Sequence, residues 1–93
     1  MPYIFEMDVA LLRMQYLLPD NHHISNIDVS LNNYHPYDRT NMVIEYSCVI
    51  ASFINDEFKP VKVLQADNLQ YLVNLCRIWS ILYNHQSTNN SNN

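Results

Sequence analysis

Glycine does not occur in this chain of 93 residues. Its absence excludes the glycine-rich loops that cradle phosphates and leaves every tight turn to other residue types. Asparagine is abundant, and it is expected to supply many of the turns and any left-handed positions. Basic side chains are scarce: five Lys and Arg stand against nine Asp and Glu, for a formal charge of −4. A general nucleic-acid binder needs a concentrated positive surface to offset phosphate charge, and docking on an anionic membrane asks for the same. The balance argues against both. Cysteine is limited to Cys48 and Cys76, each inside an apolar run, which reads as core thiols rather than as a disulfide framework. No apolar run reaches membrane-spanning length. The start, Met1 to Asp8, lacks a basic segment followed by an apolar one, and the expected location is the reducing cytoplasm.

What the chain does hold is apolar surface. Hydrophobic residues make up 48% of it, too much for a disordered chain and enough for one core in one domain. Residues 1–84 read as a single compact unit. Residues 85–93, rich in Asn and Ser, read as a flexible polar tail.

Four extended segments are expected. In residues 3–18, Phe5, Met7, Val9 and Leu11 alternate with Glu6, Asp8 and Ala10, a strand pattern. A phase slip follows that a bulge near Leu11 or Leu12 would reconcile. A helical stripe through Met7, Leu11, Met14 and Leu18 is the alternative, and strand is the preferred reading. Within 22–33, Ile27, Val29 and Leu31 oppose Asp28 and Ser30, as in a half-buried strand. Residues 42–54 alternate with apolar residues on both sides toward the end, as suits a central strand. Residues 58–65 form the last strand, with Pro60 tolerable near its start and at a sheet edge. Asp67 and Gln70 then read as a capping box. Leu69, Leu72, Val73, Cys76, Trp79, Leu82 and Tyr83 follow as a helical stripe, widened by Leu75 and Ile78. The expected fold is α+β, in the order β-β-β-β-α: a four-stranded antiparallel meander with one C-terminal helix packed on one face.

The run Val61-Lys62-Val63-Leu64-Gln65-Ala66-Asp67-Asn68-Leu69-Gln70-Tyr71-Leu72-Val73-Asn74-Leu75, preceded by the strand Glu45-Tyr46-Ser47-Cys48, resembles the DUF6968-like group of small bacterial domains. There, short strands lead to an Asp, a Leu-Gln pair and a final helix. The likeness spans residues 24–83. The chain departs from that group at Ala66, where glycine is usual, and at Leu72 and Val73, where alanine is common. The resemblance brings no residue-level function with it. A broader resemblance, in size and acidity, is to the small immunity proteins of interbacterial toxin systems. It implies a compact α+β domain that blocks a toxin by covering its active site or substrate groove.

The candidate binding residues follow from charge and aromaticity. Glu6 and Asp8 share one side of the first expected strand, and Asp28 and Glu45 lie on the polar sides of two others. Paired in register, these strands would present an acidic face suited to a basic toxin domain, whose encounter complementary fields would speed. The bland reading is a solvated face. Tyr34, Tyr37 and Arg39 crowd one loop together with His35, and aromatics with arginine make good anchors; alternatively the tyrosines cap one end of the sheet. Arg77 is expected to snorkel at the edge of the helix contact.

His22 and His23, with Asp20 and His85 as conceivable helpers, read as solvated turn residues rather than metal ligands. Cys48 reads as a core thiol rather than a nucleophile partnered by His35. No catalytic residue, cofactor or metal is expected, and the chain does not read as an enzyme. The expected partner is another protein. The alternatives are a phage or plasmid inhibitor of a host defence complex, and a homodimer formed through an edge strand or the helix.

Overall fold

The first apolar block folds as a helix. The computed structural model describes residues 2–33 and 42–91, with side chains described for 6–31 and 43–86. Helix α1 spans Pro2–Leu17, which overturns the preferred strand reading of residues 3–18. Proline at the first helical position loses no hydrogen bond, because that amide has no partner in a helix anyway. The stripe Met7, Leu11, Met14, Leu18 is the one used: Met14 is fully buried, and the other three pack partly buried against the core beside Ala10 and Leu17. Strand alternation sets Ala10 on the side of Glu6 and Asp8, although it is among the best-buried residues of the block. Leu, Met, Ala, Arg and Gln are also strong helix formers.

The remaining strands build one antiparallel sheet around β3 (Met42–Ile54). One edge of β3 pairs with β4 (Glu57–Ala66). Its other edge pairs in succession with β1 (His22–Ile24), opposite Ile50 to Ser52, and with β2 (Asp28–Asn33), opposite Met42 to Ser47. The single strand expected over 22–33 is therefore two. Ser25 bridges the interruption: its amide donates to the Val49 carbonyl at 2.9 Å, and its Oγ accepts from the Val49 amide at 2.8 Å. Ile27 leaves the edge here and turns into the core.

The sheet thus has the expected α+β class and four antiparallel strands, with helices on one face. Among the described residues, left-handed backbone falls to Asn21 and Asn55, as the lack of glycine leads one to expect of asparagine, and also to Asp56, at φ 64°, 55° and 63° in chain order. The pair Asn55-Asp56 makes the two-residue turn between β3 and β4, whose twist suits consecutive positive φ values. Pro60 lies on the edge strand where the register shifts between Ile50 and Ala51, so its missing amide removes no required ladder bond.

Helix α2 spans Leu69–Ser91, so its backbone continues through much of the Asn- and Ser-rich stretch. Its cap differs from the expected box. Asn68 Oδ1 accepts the Tyr71 amide at 2.7 Å, and the Asn68 carbonyl accepts the first helical bond from Leu72 at 3.1 Å. Asp67 instead accepts from Asn68 Nδ2, and Gln70 donates to Asn74. Leu72, Val73 and Cys76 are buried and join Cys48, Ile50, Leu64 and Ala66 in the core. The stripe then runs out: Ile78 and Leu82, expected inward, are exposed. No described helix is long and apolar enough to cross a membrane.

The two helices divide the covered face. Helix α2 packs on β3 and β4, and α1 packs on β1 and on α2. Gln15 ties α1 to the sheet by closing the outer edge of β1: its Nε2 donates to the His22 carbonyl at 2.9 Å, and its Oε1 accepts from the Ile24 amide at 3.1 Å. Neither helix packs on β2. For that reason Val29, Leu31 and Ile44 remain exposed, although alternation assigns them to the inward side.

Candidate functional site

The register defines what the opposite face of the sheet carries. Asp28 pairs with Ser47 and Ser30 with Glu45, so these four share a side. Alternation along β3 continues that side through Val49, Ala51 and Phe53, and β4 adds Gln65, Val63 and Phe58 opposite Ser47, Val49 and Phe53. β1 contributes His23, opposite Ala51. Among the described residues, no helix or strand covers this face. Phe58 is 60% exposed, Val63 57%, and Phe53 and Val43 37% each, so the face offers apolar contact area rather than a solvated polar surface.

Its two ends differ. At one end Phe53 and Phe58 lie 4.7 Å apart between ring centroids, and His23 meets Phe58 edge-on at 5.2 Å. The small Ala51 lies opposite His23 in the register, and the imidazole reaches the Phe58 ring on the far strand. At the other end stand Asp28 and Glu45, the only formal charges that the described strand registers place on this side. Lys59 and Lys62 fall opposite Ser52 and Ile50, on the helix side. The open face is therefore apolar and aromatic with a negative end.

Only part of the expected acidic face forms. Asp28 and Glu45 do come together. Glu6 and Asp8 do not join them: both are exposed on α1, in the other layer of the molecule. Residues two apart on a helix point about 200° away from each other, so these two share no side either. Tyr34, Tyr37 and Arg39 lie outside the described residues, as does His35. Phe53, Phe58 and Val63 were not singled out from the sequence, and His23 was weighed only as a turn residue or metal ligand. Their signal was present in β3, where apolar residues occupy both sides toward the end, but an interior strand covered on both faces gives the same pattern.

The other sequence candidates have structural places. His22 is not a solvated turn residue. It is buried in β1, its Nδ1 lies 2.9 Å from the Asp20 carbonyl, and its ring packs 4.8 Å from Tyr83 and 5.6 Å from Trp79. The two histidines face opposite sides because adjacent strand residues do. No group of three His, Cys, Asp or Glu among the described residues is placed to hold a metal ion.

Cys48 and Cys76 are buried free thiols. Burial pushes the Cys48 thiol from its usual 9.0 up to about 11, with Cys76 adding to the shift. Burial likewise raises Cys76, opposed by the Ser80 hydroxyl, although that hydroxyl makes no bond of ordinary geometry. Thiols held protonated at neutral pH are poor nucleophiles. Searches of protein-family models, curated proteins and solved structures return no match to this chain.

Proposed function

We propose that this chain is a protein-binding domain of the immunity type, which neutralises a toxin effector by seating its open sheet face over the effector's active or substrate-binding surface. The observation that carries the reading is the uncovered face itself. It sets the aromatic contact area of Phe53 and Phe58 beside a negative end formed by Asp28 and Glu45. Burial of the aromatic end supplies affinity, because anchors of this kind dominate interface energetics. The carboxylates orient a basic partner and speed its approach. A toxin that must itself grip a polyanion offers such a basic surface. Glu6 and Asp8 have no part in this contact.

The test is co-purification with a candidate toxin encoded beside the gene, followed by titration of variants. Phe58→Ala is expected to weaken the complex by about tenfold or more, the scale of a central anchor. Asp28→Asn with Glu45→Gln is expected to slow association and flatten its salt dependence. A toxin bound with unchanged affinity by all three substitutions together would remove the open face from the contact. Stoichiometric recovery of a host defence complex instead would replace the toxin with another inhibited target.

A further inference from the structure

The helix layer carries a second surface, with a different charge pattern. A groove follows the seam between α1 and α2 and widens into two hollows, of about 370 and 470 Å³. Glu6, Val9, Gln70 and Val73 line the first, Leu12, Tyr16 and Arg77 line the second, and Arg13 borders both. Leu12 is 71% exposed and Tyr16 91%, a large apolar exposure for one helix flank. The sign of charge changes along the groove: Glu6 lines the first hollow, Arg13 stands where the two meet, and Arg77 lines the second. Glu6 and Arg13 stand about two helical turns, roughly 10 Å, apart. None of the three forms an ion pair among the described residues.

We infer that this groove is the interface of a symmetric homodimer. A two-fold axis through the first hollow, near Val9 and Ala10, exchanges the positions of Glu6 and Arg13. Glu6 of each copy then faces Arg13 of the other, and the contact is made twice, as an isologous interface requires. A side-by-side parallel arrangement would set arginine against arginine, so charge selects the antiparallel orientation. Leu12, less than one turn from that axis, supplies apolar area that the monomer leaves in water, worth about 25 cal/mol per Å² covered. The groove lies on the helix layer, so the dimer keeps both open sheet faces outward. This inference does not rest on the proposed toxin contact.

Light scattering on the purified full chain, coupled to size exclusion over a range of concentrations, tests it. The expected mass is twice 11.0 kDa. Glu6→Arg alone and Arg13→Glu alone are each expected to weaken the dimer by about tenfold or more, since both place like charges across the interface. The double variant Glu6→Arg/Arg13→Glu restores the Glu6-to-Arg13 pairing with its sense reversed and is expected to recover most of the dimer. Circular dichroism of each variant separates loss of pairing from loss of fold. A wild-type chain that stays monomeric at every concentration overturns the inference. So does a dimer indifferent to the single reversals. A monomer whose groove instead binds an acidic amphipathic helical peptide also overturns it, by giving the groove to a foreign partner.

Discussion

The two faces of the sheet are built from the same strands and end differently. On one face Cys48, Ile50 and Leu64 are buried to 3% exposure or less. On the other, Val43, Phe53, Phe58 and Val63 stand in solvent. Alternation in β3 makes both sides apolar toward its end, so side-chain character alone does not separate core from surface. The separation comes from which face receives α1 and α2. Even the covered face is bare over β2, where neither helix reaches. An apolar residue in this protein is therefore a core residue only where a helix lies over it, and elsewhere it is available for contact.

The largest expected effect tests that division directly. Ile50→Ala, under the helices, is expected to destabilise the fold by about 2–5 kcal/mol in urea unfolding, through lost burial and the cavity left behind. Phe58→Ala, on the open face, is expected to cost about 1 kcal/mol or less, the scale of its aromatic contacts. Equal losses would mean that the open face is part of the core.

Alkaline pH sharpens the same contrast. The fold holds the Cys48 thiol protonated, with its pKa raised from 9.0 to about 11. The folded state therefore binds this proton more tightly than the unfolded chain does. The associated stability is fully present below about pH 9 and is lost as pH rises through about 11. Urea midpoints measured across that window are expected to fall, and Cys48→Ala is expected to flatten the decline. A wild-type curve with the same slope as the variant would show that the thiol titrates as freely in the fold as in the open chain.

The smallest effect concerns what seats the cover. Asn68→Ala is expected to cost about 1 kcal/mol, because it removes the acceptor for the Tyr71 amide at the start of α2. Asp67→Ala should cost less, since among the described residues Asp67 accepts only from the Asn68 side chain. The reverse ranking in thermal melts would restore Asp67 as the cap.

Much of the architecture was legible from local patterns. The central strand 42–54, the last strand with Pro60 at its edge and the helical stripe from Leu69 to Trp79 follow from periods of two and of 3.6 residues. The α1 segment was misread because its residues satisfy both periods in part. Over Phe5 to Leu11 the period of two looks cleaner, while the stripe from Met7 to Leu18 needs a longer window to stand out. In the candidate site, Asp28 and Glu45 were recognisable as outward residues of adjacent strands. The aromatic end was not, because His23, Phe53 and Phe58 come from three different strands and meet only through register.

Composition and local chemistry decided that this acidic chain is α+β and that, without glycine, described left-handed positions such as Asn21 and Asn55 fall to asparagine. They also placed both cysteines in apolar runs, where burial keeps them protonated. Only the packed structure decided that residues 2–17 are helical, that His22 is buried while His23 is not, and which apolar side of β3 is core. Period and propensity act over a few residues at a time. Burial is assigned by whatever element arrives from elsewhere in the chain, and here two helices cover one face and leave the other open.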